Sequence, residues 1–264
     1  MKKYLILIRN SFSEYFAYRL NFFLWRVRVI AIILINFSLW QAIFRQNKVV
    51  FGYDESQILT YIIFISILSG IVLATRTERV ATEINMGILS NLLIKPIHYF
   101  FYNLSRDLAD KVINNCCSFI EIALLITVIN PPVILQNNPF WLLSFIMTSI
   151  VASLLYFEIN MLLSSVAFWS KETWAPRFIF FILVNFLAGM YFPLDIVPQG
   201  LYRILEYLPF TYLIFFPLKI YLGNITIVFL IKGLIISVVW SVFLWWLMIY
   251  VWKKGLKIYT SEGQ

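Results

Sequence analysis

Six apolar stretches, each long enough to cross a bilayer as a helix, leave this 264-residue chain very few architectures. They are residues 27–44, 58–74, 112–134, 140–169, 178–194 and 225–252. A hydrocarbon core about 30 Å thick takes roughly 20 apolar residues of helix. Backbone groups in that medium have no water to bond, so each span must satisfy its own as a helix. The fourth and sixth stretches exceed this length and imply tilt or extension beyond the bilayer. The third ends at Pro131-Pro132, a helix stop. Only 13% of the residues are charged, against roughly 25% in soluble domains. The expectation is an all-α polytopic membrane protein in which residues 1–264 form a single membrane domain.

Charge sets the expected orientation. Of 21 Lys and Arg, sixteen fall on the side of residues 1–28, 76–111, 171–177 and the C-terminal tail. Arg45, Lys48, Arg203, Lys219 and Lys232 fall on the other. The positive-inside rule then puts both termini in the cytoplasm, as an even number of spans requires. The net charge of +8 has its explanation in membrane flanks and headgroups, and no nucleic-acid partner is expected.

Several chemistries are absent. No GxxxxGK[ST], HExxH or GxSxG motif occurs. A single histidine, His98, and adjacent Cys116 and Cys117 give no zinc spacing, and neighbouring helix positions make a poor disulfide. No catalytic or metal site is expected on this chain. The two cysteines read as small buried or lipid-facing residues.

The segment before the first span reads as an amphipathic interfacial helix rather than a cleavable signal. Leu5, Ile8, Phe12, Tyr15, Phe16 and Leu20 share one face, while Arg9, Glu14, Arg19 and Arg26 break the apolar run. The loop after the second span, TERVATEINMGILSNLLIKPI, is too patterned for a connector. Thr77 or Thr82 can cap a helix there, and Ile84, Ile88, Leu89, Leu92 and Leu93 repeat at helical spacing. Gly87 interrupts it and Lys95-Pro96 ends it. A short helix lying along the membrane is expected, with its charges offered to the cytoplasm.

The outer loop after the fifth span stays apolar while Gly189, Pro193, Pro198, Gly200, Pro209 and Pro217 punctuate it. Residues 210–222 are apolar but too short to span, so re-entrant half-helices that cap the outer side are expected. Inside the spans stand Glu121 and Glu158, with Asn160 beside the latter. An ionisable group in hydrocarbon faces a bundle interior or a cavity. Glu158 reads either as the lining of a path or as a carboxyl that holds helices together. Glu121 reads preferentially as the second. An intramembrane enzyme using both acids is the remaining alternative from these residues.

Taken in order, the basic leader, EIxxGxLxxLLxKPI at 83–97, SVAFW at 165–169, LxGxxFPLxxxPxxLxxILxxLPF at 187–210 and PLKIYLG at 217–223 resemble the permease subunit of a bacterial type-2 ATP-binding-cassette (ABC) exporter. The resemblance covers essentially the whole chain. It implies that residues 77–93 form a coupling helix seated on an ATPase subunit, with Glu78, Arg79, Glu83, Gly87, Leu92, Lys95 and Pro96 as coupling residues. It implies that residues 2–16 form a connecting helix, that 193–222 gate the outer side around Gly189, Pro193, Pro198 and Pro209, and that Glu158, Asn160 and Glu121 line the path. Two ATPase chains, which carry the ATP and Mg, and a second permease, identical or homologous, would complete the assembly in the inner membrane. An apolar or amphipathic substrate is implied; a non-transporting scaffold is the alternative.

Overall fold

A computed structural model describes residues 19–46, 48–223 and 225–260. The expected leader helix, residues 2–16, lies outside these. Helix α1 is Arg19–Phe44. A two-residue hairpin follows, β1 (Val49–Val50) and β2 (Tyr53–Asp54), antiparallel with Val50 opposite Tyr53. Phe51 and Gly52 both take positive φ, as the tight turn between such strands requires. Asp54 then caps α2 (Glu55–Val72): its carboxylate accepts from the Gln57 amide while the Gln57 side chain accepts from the Asp54 amide.

The short helices α3 (Glu78–Asn85) and α4 (Leu89–Leu93) precede α5 (Tyr99–Ile129). Helix α5 ends at Asn130 in the left-handed region, just before the two prolines. Helix α6 is Pro139–Ser165, started by the Asn138 cap and prolonged by one 3-10 turn, Val166–Phe168. Helix α7 is Trp174–Leu187. A 3-10 turn at Leu194–Ile196, α8 (Gln199–Leu205), a 3-10 turn at Pro209–Tyr212 and α9 (Phe215–Leu222) lead to α10 (Ile227–Ile258).

Helices α1, α2, α5, α6 and α10 are long and apolar enough to cross a membrane. Four of the six expected stretches differ in outline: the first begins at Arg19 rather than residue 27, and the sixth runs on to Ile258 rather than ending at 252. The third begins at Tyr99 rather than residue 112, because its charged first half finds ionic partners and stays helical. The fifth makes only the 14 residues of α7, roughly 21 Å. It ends where Gly189 turns to φ +81 and Ala188 closes the last turn.

The packing is organised by α6 and α10. On α10 the buried residues are Leu230, Gly233, Ser237, Ser241, Leu244, Met248, Trp252 and Gly255, a stripe at three- and four-residue intervals. Two of them are glycines because aromatic rings sit on the backbone. A Cβ at Gly233 would lie 2.1 Å from the Phe216 ring, and one at Gly255 would lie 2.1 Å from the Phe168 ring. Helix α9 lies inside the bundle, with seven of its eight residues buried. By contrast α7 buries only Val184 and shows a nearly continuous apolar surface. Cys116 is exposed, Cys117 is half-buried, and both are free.

Candidate functional site

Two polar-to-apolar assemblies stand at opposite ends of the bundle, joined by α2. The first is the α3–α4 pair. Gly87, at φ +72, breaks what would be one helix into two, so that Val80, Ala81 and Ile84 on one piece and Leu89 and Leu92 on the other enter a common core. That core also holds Tyr99, Phe100, Phe157, Met161, Phe168, Met248 and Trp252. Trp252 stacks on Tyr99 and meets Phe168 edge-on. Tyr259, just past α10, accepts a hydrogen bond from the Ser90 amide at 3.2 Å.

The exposed side of this pair differs from the expected one. Ile88 and Leu93 lie on the surface with Met86 (66% exposed) and Ile94 (83%). Of the expected coupling residues, Glu78, Lys95 and Pro96 are exposed and Arg79 is half-buried, while Glu83, Gly87 and Leu92 are buried. Glu83 is a correction to the picture of charges offered to solvent. It accepts hydrogen bonds from Tyr99 Oη at 2.6 Å and Arg106 Nη1 at 2.9 Å, so its charge is spent inside. Thr82 is exposed within α3, and Thr77 occupies the cap position without a side-chain cap bond. The Thr77 carbonyl instead accepts from Ser164 Oγ at 2.8 Å and from Arg177 Nη2 at 3.3 Å, tying α3 to α6 and α7.

An ionic strap holds the approach to α3. Asp107 accepts from Thr75 Oγ1 at 2.6 Å, and Asp110 pairs with Arg76 at 2.6 Å. Lys111 donates to the carbonyls of Val72 and Ala74 and pairs with Asp107 at 3.3 Å. A cation at the C-terminal end of α2 also complements the helix dipole. The strap was legible only as spacing: Arg106, Asp107, Asp110, Lys111, Asn114, Ser118 and Glu121 recur at helical intervals through what reads as a loop and a span.

The second assembly runs from Ala188 to Gly223. The Phe215 amide donates to the Ala188 carbonyl at 2.9 Å, and Tyr61 Oη donates to the Gly189 carbonyl at 2.7 Å. A side chain at Gly189 would collide with Tyr61 and Phe215. Pro193 and Pro209 are buried; Pro198 is exposed and starts α8. Three side chains from separate segments then meet. Tyr53 Oη donates to Asp195 at 2.8 Å, Lys219 Nζ donates to Asp195 Oδ2 at 2.7 Å, and Lys219 Nζ lies 2.5 Å from Tyr53 Oη and 4.4 Å from the centre of its ring. Burial, with the Asp195 carboxylate beside it, holds the Tyr53 phenol well above the ordinary tyrosine range. Sequence reasoning missed this cluster, because its members are far apart in the chain and nothing local marks them.

The three expected path residues do not converge. Glu121 pairs with Arg26 of α1, which also donates to Ser118 at 3.1 Å, and so joins α1 to α5. Glu158 is fully buried and accepts from Ser241 Oγ of α10 at 2.8 Å; its other oxygen has no hydrogen-bond partner. Asn160 donates to the Tyr156 carbonyl of its own helix at 2.9 Å.

Comparison with known families finds that a family model described as "ABC-2 family transporter protein" aligns with residues 30–263. Among curated proteins no match was found.

Proposed function

The chain belongs to the ABC-2 transporter family, and from that premise we propose that it is the permease of an ATP-driven exporter. It is a multi-pass membrane protein and the transmembrane, non-catalytic component of an ABC transporter. In our reading it lies in a bacterial inner membrane with both termini cytoplasmic. Helix α7, extended by the segment after it, serves as the fifth of six crossings, and Pro193 to Leu222 serve as the re-entrant outer gate.

The observation that carries this reading is the family match over nearly the whole chain. The α3–α4 pair supports its details. Its buried face is locked into the permease by Glu83, while Met86, Ile88, Leu93 and Ile94 stand exposed beside Lys95. Apolar residues rimmed by charge suit a groove on an ATPase subunit. Two such subunits bind ATP and Mg, and a second permease, identical or homologous, completes the path. Closure of the ATPases draws the α3–α4 pairs together, and the packed helices shift between discrete arrangements. Glu158 and Asn160 join the path, and Glu121 borders it, only when α6 and α10 part. An apolar or amphipathic substrate fits walls of this composition.

The test is purification of the chain from its host in mild detergent, followed by mass spectrometry. A co-purifying soluble chain bearing GxxxxGK[ST] is expected, at two copies per two permeases. Its reproducible absence from a folded sample would point to a non-transporting membrane scaffold instead.

A further inference from the structure

We infer that Tyr53, Asp195 and Lys219 form a releasable latch that holds α9 shut against the first outer hairpin. This rests on reading residues 193–222 as the outer gate. Lys219 is the single charged residue of α9, whose other members are apolar or aromatic and buried. Asp195 comes from the 3-10 turn that follows α7, and Tyr53 from the hairpin between α1 and α2. The cluster thus ties the segment after α7, the re-entrant helix and the hairpin at one point. The hairpin is a firm anchor, since the Asp54–Gln57 capping box fixes the residue next to Tyr53.

The physical chemistry of the pair makes it a latch rather than a rivet. The side chains of Lys219 and Asp195 keep 19% and 26% of their surface exposed. Closed, their attraction offsets the loss of water from both. Opened, each regains its hydration, so release costs little net free energy. An apolar side chain at 219 facing a neutral one at 195 would behave in the opposite way. It would gain from burial when closed and lose when open. Removing either partner alone leaves the other charged and unpaired beneath the gate, which favours the open form. The single and the paired change therefore carry opposite predictions, whereas a cluster that merely supports the fold predicts that both loosen it.

The experiment uses the full chain in membrane vesicles without nucleotide. The reporter is Ser149→Cys in a Cys116→Ser, Cys117→Ser background. Ser149 is buried on α6, one turn past Phe145, whose ring meets Tyr221 of α9. Reaction with a membrane-impermeant maleimide is timed in right-side-out and inside-out vesicles. Asp195→Asn is expected to speed labelling from the outer side about 10-fold, and the paired change Asp195→Asn, Lys219→Met to leave it at or below the parent rate. Tyr53→Phe, which keeps the ring and removes the bridging hydroxyl, is expected to fall between Asp195→Asn and the parent. Faster labelling of both the single and the paired variant, or of neither, would overturn the latch. Labelling confined to inside-out vesicles would overturn instead the placement of the gate, and neither result depends on a partner ATPase.

Discussion

The two ends of this bundle are built on opposite principles. The α3–α4 end is bound to the body by directional polar bonds: Glu83 to Tyr99 and Arg106, Arg76 to Asp110, Asp107 to Thr75, Thr77 to Ser164 and Arg177. The 188–222 end has polar ties of its own, Tyr61 to the Gly189 carbonyl and Lys232 to Glu206, but α9 enters the bundle as an apolar plug. Helix α9 is buried among side chains of α2 and α6, and its charged contact is a single lysine. Directional bonds transmit rotation and displacement without slack, which suits a part that must follow a partner. Apolar contacts have no preferred direction and can re-form after sliding, which suits a part that must open and close.

That contrast can be broken most severely at Glu83. Glu83→Ala leaves Arg106 buried and uncompensated, and removal of one partner from a buried pair costs about 3–5 kcal/mol. A marked fall in thermal stability is expected, together with proteolytic cleavage within 77–98 before the rest unfolds; an unchanged melting temperature would show that the end is not ionically held. Next in size is Gly233→Ala at the plug. Its new methyl overlaps the Phe216 ring, and overpacking of this kind costs about 1–3 kcal/mol. Adding Phe216→Leu should recover most of the lost stability; a double variant no better than the single would mean that shape is not what holds the plug.

Smaller effects sharpen the comparison. Ser241→Ala removes the hydrogen bond to Glu158 between α6 and α10, worth about 1 kcal/mol, and lowers stability without altering assembly. The paired change Met86→Ser, Ile94→Ser lies on the surface, where stability moves by less than about 0.5 kcal/mol. It should nonetheless weaken co-purification of the ATPase at least several-fold. Intact binding would remove those side chains from the docking surface.

Local chemistry was legible in the sequence, and distant pairing was not. The apolar runs, the break at Gly87, the proline punctuation of 188–222 and the stop at Pro131 all act on the backbone within a few residues. The direction a helix faces was read less well. Ile84, Leu89 and Leu92 went inward, but Ile88 and Leu93 did not, because Gly87 rotates α4 relative to α3 and resets the periodicity. Charge misled in the same place. Glu83 read as solvated, yet it is buried with Arg106 as its ionic partner. The Tyr53–Asp195–Lys219 cluster joins residues 142 positions apart or separated by an entire helix, and no spacing rule reaches that far.

The two glycines of α10 have a mechanical meaning. They stand 22 residues apart on an unbroken helix, about 33 Å and close to six whole turns, and so open toward nearly the same side. One receives a ring from α9 and the other a ring from the turn packed beneath α3. Helix α10 is therefore a shaft keyed at both ends on a single flank. A twist imposed at the α3 end arrives at the α9 end with its phase preserved, and a one-residue insertion in the middle of α10 would put the two keys about 100° out of step.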